Sequence, residues 1–392
     1  MNNSILNTGV QDFIKKKWNT DMLSVILKKP LFEGVSQKEL VEQVEAKKKS
    51  KDKLPTWFKT QNIYYPNKLN IEQTSSEITA QYKANLIAGN SLIDITGGYG
   101  VDSYFFSQKF NQIYHSEIDK NLSKIAAYNF KILGAKNIKC IAQNGVDFLQ
   151  KNDSNFDWIF IDPSRRNNAK EKVFFMADCL PNVPENLDLF FKASSNILIK
   201  TSPLLDFTIG IKEFQFVKEI HVVAVQNEVK ELLWILEKKY EGSIAIKTVN
   251  IAKNTTESFN FKLTDEKEVI SEYAKPLSYL YEPNSAILKS GAFKSIGNHF
   301  KVKKIHEHSH LYTSNDFKDF PGRKFKVVQT IPYSKKEMKK LGISKANITT
   351  RNFLDSVAVI RNKYKIKDGG EIYLFFTKNI EDEFIVLKCE KA

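Results

Sequence analysis

The 392-residue sequence predicts an α/β fold, a mostly parallel sheet covered by helices, with a helical cap before it and a smaller α+β domain after it. Three observations predict this. From Ser91 onward, apolar runs near 92–95, 112–117, 138–142 and 157–161 alternate with helical stretches such as 121–133, the pattern of right-handed βαβ crossovers. The first run passes into Asp94-Ile-Thr-Gly-Gly-Tyr-Gly100, where glycines stand at the change from strand to helix. Glu117 then closes the second run twenty positions after Gly97, the spacing at which a carboxylate can reach ribose hydroxyls.

A tight turn that brings backbone against a ligand has no room for Cβ and often requires positive φ, so Gly97, Gly98 and Gly100 read as a nucleotide-cofactor turn. Two cofactor classes use such a turn. A dinucleotide wants G-x-G-x-x-G with its pyrophosphate on the helix N-terminus. Here Val101, Asp102 and Ser103 follow Gly100, so the third glycine is missing and Asp102 puts negative charge in the first helical turn. S-adenosylmethionine has no phosphate and a cationic end, which suits Asp94 and Asp102 better.

Ligands of parallel sheets bind beyond the carboxyl ends of the strands. Asp94, Glu117, Asn144 and Asp162 all fall at or just past such an end. Asn144-Gly145 could meet an adenine or form an ordinary strand-to-helix turn. Pro163 stops the strand and fixes the backbone after Asp162. Arg165 and Arg166 follow where a substrate would enter, as phosphate and base contacts or as local ion pairs.

Before the sheet, residues 1–70 read as a cap of short helices at 10–18 and 36–44, followed by the basic run 47–53. That run is either a solvated face or a nucleic-acid contact. Thr74 and Glu77 fit a capping box for a helix buried through Ile78, Tyr82 and Leu86. The polar cluster Gln73, Thr74, Ser75 and Ser76 would then face the ligand.

After the strand at 196–203, the runs 219–225 and 231–236 flank a turn and read as a closing hairpin. The chain thus divides into 1–70, 71–242 and 243–392. In the last part strands at 325–329, 371–377 and 384–387 and helices at 334–341 and 353–364 suit a ferredoxin-like α+β domain.

Hydrophobic content of 42% and charged content of 27% are globular values, which excludes a disordered class. No apolar run is long enough to span a bilayer, and the mixed charges of the first thirty residues do not resemble a secretory signal, so a cytoplasmic protein is expected. Cys140, Cys179 and Cys389 are widely spaced with no C-x-x-C pair, which predicts reduced thiols and no structural metal. His306, His308 and His310 alternate, so on a strand they would share a face that either binds metal or simply packs.

The chain carries a net charge of +14, and residues 301–370 hold 17 Lys/Arg against 6 Asp/Glu, or +11 of it. Phe300, Tyr312, Phe317, Phe320, Phe325 and Tyr333 are interleaved with these bases, a mixture that suits phosphate neutralisation and base stacking. Core packing would account for about half of them.

Asp94-Ile-Thr-Gly-Gly-Tyr-Gly100, Glu117 and Asp162-Pro-Ser-Arg-Arg166 together resemble the class I S-adenosylmethionine-dependent methyltransferases. With Gln73-Thr-Ser-Ser-Glu77, Lys200-Thr-Ser-Pro-Leu-Leu-Asp206, Asn227-Glu-Val-Lys-Glu-Leu232, Tyr281-Glu-Pro-Asn284, His310-Leu-Tyr312, Phe320-Pro-Gly-Arg323 and Arg351-Asn-Phe353, the chain resembles the bacterial group with a THUMP-like domain. The resemblance implies a Rossmann-like, seven-stranded class I sheet and S-adenosylmethionine as cofactor. Asp94, Thr96, Gly97, Gly98 and Gly100 would surround its methionine and ribose, Glu117 the ribose hydroxyls and Asn144 the adenine, with Gln73, Ser75 and Asp162 nearby. The implied substrate is RNA, tRNA or rRNA, held by the basic C-terminal domain. Asp162, Pro163, Arg165 and Arg166 form the expected catalytic group.

Ser164 and Arg165 replace the second proline and aromatic of amino-group methylases, which speaks against that chemistry. Thr201-Ser202-Pro203 offers no thiol for a covalent route. A non-catalytic RNA-binding scaffold, and a methyltransferase acting on a protein or small molecule, are the alternatives.

Overall fold

The computed structural model describes residues 1–20, 31–165 and 175–392, apart from the side chain of Arg165. It comprises two compact units, one of residues 1–218 and 232–241, the other of 219–231 and 242–392.

The first unit opens with α1 (Thr8–Lys17), α2 (Gln37–Lys53), α3 (Pro55–Lys59), α4 (Lys68–Gln73) and α5 (Glu77–Ala84). A capping box starts α2: Glu39 N–H donates to Ser36 Oγ at 3.2 Å, and Ser36 N–H to the Glu39 carboxylate at 3.0 Å. The helix continues through the basic run, and four of its five lysines make contacts inside the unit. Lys47 Nζ donates to the Phe58 carbonyl at 2.8 Å, Lys49 pairs with Glu72, Lys51 lies 5.0 Å over the Trp18 ring, and Lys53 Nζ donates to the Glu72 carbonyl at 2.6 Å. The run is therefore mainly intramolecular.

The start of α5 differs from expectation. Its cap is Ser76, whose Oγ accepts from Thr79 N–H at 3.2 Å, while Thr74 closes α4. Glu77 instead accepts from the Thr56 N–H and hydroxyl at 2.5 and 2.7 Å, which ties α5 to α3. The buried face is Thr79, Ala80, Lys83 and Ala84, and Ile78 is exposed. An apolar spacing of four chose the wrong face because the helix buries a lysine.

The chain then alternates as its periodicity predicts: β1 (Gly89–Asp94), α6 (Val101–Phe106), β2 (Phe110–Ser116), α7 (Lys120–Ile132), β3 (Ile138–Ile141), α8 (Gly145–Lys151) and β4 (Trp158–Ile161). After a short antiparallel pair, β5 (Ser164–Arg165) with β6 (Cys179–Leu180), come α9 (Val183–Ala193), β7 (Asn196–Thr201), α10 (Phe207–Glu213), β8 (Val217–Val225) and β9 (Glu228–Glu237). The first unit's strands run in the order β9-β7-β4-β1-β2-β3. Within this order the pairings β7-β4, β4-β1, β1-β2 and β2-β3 are parallel and β7 with β9 is antiparallel. Ile93, Ile159, Ile197, Leu198 and Leu233 are fully buried, as strands covered on both faces require. β1 lies centrally and ends at Asp94.

Gln226 and Asn227, with φ of 51° and 62°, form the two-residue turn between β8 and β9 that matches strand twist. In the second unit β10 (Ala245–Ile251) pairs in parallel with β8 over seven residues, and β11 (Thr256–Lys262) pairs antiparallel with β10. The strands after Gly242 thus build onto the hairpin, beyond the seven expected.

Next come α11 (Leu263–Glu268), β12 (Tyr279–Pro283), α12 (Ser285–Ser290), α13 (Ser295–Phe300), β13 (Lys303–Lys304) and β14 (Tyr312–Ser314). The chain ends with β15 (Gly322–Pro332), α14 (Lys335–Leu341), β16 (Asn347–Thr350), α15 (Val357–Tyr364), β17 (Tyr373–Lys378) and β18 (Phe384–Lys391). These strands form a sheet ordered β13-β14-β12-β15-β18-β17-β16. Alternation along β17 sends Phe375 into one core with Leu280, Phe325 and Leu387, and Leu374 and Phe376 into another with Ile331, Met338 and Ile360.

Of the interleaved aromatics, Tyr312, Phe320 and Phe325 are buried in this unit, while Phe317 is half exposed. The three histidines do not share a strand face, because residues 305–309 turn after the short β13. His306 Nε2 lies 3.2 Å from Asp382, and His310 stacks on Phe293 at 3.7 Å between centroids. Among the described residues, no group of three or more His, Cys, Asp or Glu could hold a metal, and no helix is long and apolar enough to cross a membrane.

One buried carboxylate organises the sheet. Glu282 on β12, with a side chain only 4% exposed, meets Arg323 of β15 and Arg351, which follows β16; Arg351 donates to it from Nε and Nη2 at 3.0 and 2.8 Å. Arg323 also lies 5.5 Å from the Phe325 ring centre. Removing the acid leaves two facing guanidiniums whose outer ends reach water. Glu282→Ala should therefore destabilise the protein by about 2–3 kcal/mol, visible as a lower urea midpoint.

Candidate functional site

A cavity of about 630 Å³ opens at the C-terminal ends of β1, β2 and β4. Gln73, Ser75, Asp94, Thr96, Gly97, Gly98, Glu117, Asn144, Asp162 and Pro163 all line it, so most of the residues singled out from sequence converge there. Gly100 does not. With φ of 85° it begins α6, and a Cβ would lie 2.3 Å from the Phe130 ring. Gly97 is likewise required by packing, since its Cβ would meet the His115 ring at 2.3 Å. Only Gly98, at φ 58°, has nothing within 3.8 Å of its Cβ position, and its need is for backbone conformation. Arg166 and the side chain of Arg165 lie outside the described residues.

Four carboxylates line this cavity, and each is compensated differently. Asp94, 1% exposed, accepts from Ser103 Oγ at 2.7 Å and Thr96 N–H at 3.0 Å. Burial still pushes its carboxyl up to about 7, with Asp102 and Asp162 adding repulsion. Ser103 Oγ also lies 3.1 Å from Nδ1 of His115, which burial pushes down to about 4. Asp102 is neutralised internally by the fully buried Lys83 at 3.2 Å and accepts from Ser75 Oγ at 2.7 Å. It is thus a wall anchor and not a free charge for a cationic ligand, contrary to the sequence expectation.

Glu117 receives Gly98 N–H and Asp119 N–H, both at 2.7 Å, which fixes the glycine turn against the end of β2. Each of its oxygens keeps a lone pair for a further donor. Asp162 pairs with Lys200 of β7, and its N–H donates to Thr96 Oγ1 at 2.7 Å. Lys200 and Lys83 were not recognised as site residues from sequence. The strand periodicity around 196–203 could have placed Lys200 beside Asp162, but nothing local marks Lys83.

Asn144 caps α8: its Oδ1 accepts from Val146 N–H at 2.8 Å, and Gly145 lets the helix approach Ile95, where a Cβ would lie 2.5 Å away. The turn reading of Asn144-Gly145 is correct, and the residue lines the cavity as well. Leu180, Pro181 and Ile118 supply apolar surface. Among the described lining residues the cation is Lys200, already paired with Asp162. The lining thus suits a sugar, a base and a cationic group, and does not suit a pyrophosphate.

The central β1, its glycine turn and the acid after β2 define a class I methyltransferase fold. Comparison with solved structures agrees. A candidate methyltransferase from Porphyromonas gingivalis W83 superimposes with a TM-score of 0.90 at 30% identity, over 98% of this chain and 98% of that one. Residues 279–321 match a ferredoxin-like domain model and 322–391 a THUMP domain-like model. The chain therefore belongs to the class I S-adenosylmethionine-dependent methyltransferase family of the bacterial THUMP-like-domain group.

A Streptococcus mutans candidate methyltransferase in complex with SAH (14% identity, 41% of this chain and 96% of that, TM-score 0.31) and a Bacillus cereus O-methyltransferase in complex with SAH (13%, 43% and 87%, 0.34) also match. No curated protein matches the chain.

Asp94 gives the site a pH signature. Its unfolded form titrates near 3.9, so between about 4 and 7 the folded state keeps a proton that the unfolded state releases. Its contribution to stability falls as pH rises through that window and levels off above it. Asp94→Asn should flatten this dependence, measured as urea midpoints from pH 4.5 to 7.5.

Proposed function

We propose that this chain binds S-adenosylmethionine in the strand-end cavity and transfers its methyl group to RNA. The observation that carries the cofactor reading is the Gly98–Glu117 hydrogen bond on a carboxylate-lined cavity with no unpaired cation among its described residues. Glu117 would accept from the ribose hydroxyls, Thr96 and Gly98 would border the methionine portion, and Asn144 would lie by the adenine, with Gln73 and Ser75 also lining the site.

S-adenosylmethionine supplies a methyl already activated by its sulfonium leaving group. The protein's task is then to hold an acceptor in line and exclude water. Asp162, oriented by Lys200 and anchored through its N–H to Thr96, would accept a hydrogen bond from the acceptor group. Pro163 keeps that carboxylate at the rim, and Arg165 and Arg166 would contact the substrate. Thr201 is not a nucleophile: it is 3% exposed and its Oγ1 accepts from Trp234 Nε1 at 3.0 Å.

A catalytic enzyme is favoured over a scaffold because the Asp162–Lys200 pair faces the cofactor cavity. RNA is favoured by the THUMP domain-like segment and by the charge of residues 301–370. Much of that charge is paired within the fold, including Arg323, Arg351 and Arg361, so docking falls to exposed lysines such as Lys335, Lys336 and Lys339 of α14.

Calorimetry tests the cofactor. S-adenosylmethionine should bind and NAD should not; Gly98→Asp should abolish binding, and Glu117→Ala should weaken it by about 1.5–3 kcal/mol. Binding of NAD alone would overturn the reading. Nucleoside mass spectrometry of total RNA from a deletion strain should lack one methylated nucleoside, whereas an unchanged profile would favour a scaffold or protein substrate.

For docking, combined Lys335→Glu, Lys336→Glu and Lys339→Glu should reduce the slope of log affinity against log salt by about 2–3, at 0.7–0.9 per phosphate contact. Substitution is a better test than truncation near residue 245, which would strip β10 from the edge of β8.

A further inference from the structure

A second cavity lies in the helical part of the first unit, with a volume of about 280 Å³. It is lined by residues of α1, α2 and the segment 58–65, and it shares no lining residue with the strand-end cavity. Its size is just below the roughly 300–1,000 Å³ of ordinary small-molecule sites, room for one nucleotide-sized group.

Its lining combines three chemistries. Lys47 is 8% exposed, and its ammonium donates one hydrogen bond to the Phe58 carbonyl at 2.8 Å, leaving two donors. Among the described residues no carboxylate pairs with it; burial lowers its pKa, and Lys15, another cation on the same cavity, lowers it further. The ammonium also lies 4.7 Å over the Phe58 ring and 5.6 Å over that of Tyr65, which offsets part of the cost of burying it beside a second cation, and an anion between the two lysines would offset the rest.

Aromatic surface comes from Trp18 and Phe58, edge to face with centroids 5.1 Å apart, with the Lys51 ammonium over one face of Trp18 and that of Lys47 over one face of Phe58. Thr60, Gln61, Asn62 and Gln11 add hydroxyl and amide groups able to bond the edges of a heterocycle. Asp12 is the lining carboxylate, and it is exposed.

We infer that this cavity is a nucleotide subsite, in which Lys47 and Lys15 hold a phosphate and Trp18 and Phe58 hold a base. The occupant is a single 5′-phosphorylated nucleotide, free or at the end of an RNA strand. Stacking on aromatic side chains with phosphate neutralisation is the general physics of single-stranded nucleic-acid binding. The inference stands apart from the proposed methyl transfer, since it uses none of the residues of the strand-end cavity.

The test is calorimetry on the full chain, with the strand-end cavity saturated by S-adenosylhomocysteine, titrating AMP, UMP, orthophosphate and a 5′-phosphorylated RNA tetramer beside its unphosphorylated form. The nucleotides should bind at least tenfold more tightly than orthophosphate. The phosphorylated tetramer should match or exceed them if a strand end is the occupant, and bind at least tenfold less tightly if a free nucleotide is.

Lys47→Met, which keeps the buried volume, and the surface change Lys15→Glu should each weaken nucleotide binding at least tenfold. Circular dichroism and thermal melting verify the fold of both variants. Glu117→Ala should leave nucleotide binding unchanged whether or not it lowers cofactor affinity, so failure of one reading is distinguishable from failure of the other. Absence of nucleotide binding at millimolar concentration, binding unaffected by both lysine changes in folded protein, or equal affinity for orthophosphate would each overturn the inference.

Discussion

Four acidic side chains crowd one end of a parallel sheet, and the cavity depends on offsetting their mutual repulsion. Asp94 holds a proton near neutrality, Asp102 takes the ammonium of Lys83, Glu117 gathers two backbone N–H groups, and Asp162 takes Lys200. Each solution also fixes a piece of backbone. Lys83 binds α5 to α6 through Asp102 and Ser75, Glu117 locks the glycine turn to the end of β2, and Lys200 joins β7 to the end of β4. Compensation of charge and shape of the pocket are therefore one problem with one solution.

The same economy appears in the helical part of the unit. Asn129 of α7, 1% exposed, bonds both edges of the Tyr64 backbone, accepting from its N–H at 3.0 Å and donating to its carbonyl at 2.9 Å. Tyr99, next to the glycine turn, donates to the same carbonyl at 3.2 Å. Trp57 packs fully buried against Tyr104 at 5.0 Å between centroids. The glycine turn and the preceding helices thus share side chains, so a disturbance in one is felt in the other.

Sequence legibility followed the physics of each signal. Strands buried on both faces announce themselves as apolar runs, and β1, β2, β3 and β4 stood close to where those runs placed them. The glycine turn, Glu117 and Asp162 were visible because chain order and spacing are enough to bring strand ends together. Lys83 was not, because a buried ammonium leaves an exposed-looking letter in a helix whose true inward face is Thr79, Ala80, Lys83 and Ala84. The reason for Gly97 and Gly100 was also hidden, since His115 and Phe130 reach them from elements distant in sequence. In the basic C-terminal stretch, composition revealed the charge but not its pairing, which requires knowing that Glu282 sits between Arg323 and Arg351.

That clasp bears on how the C-terminal region can evolve. The segments matching the ferredoxin-like and THUMP domain-like models meet at residues 321 and 322, yet β12 of the first lies hydrogen-bonded to β15 of the second, and Glu282 of one is held by two arginines of the other. Leu280 and Leu311 from the first share a core with Phe325 and Leu387 from the second. Neither segment has a complete sheet or a neutral interior without its neighbour. Recombination at their junction would separate an acid from its bases and open a strand edge, so a stable exchange must move both together.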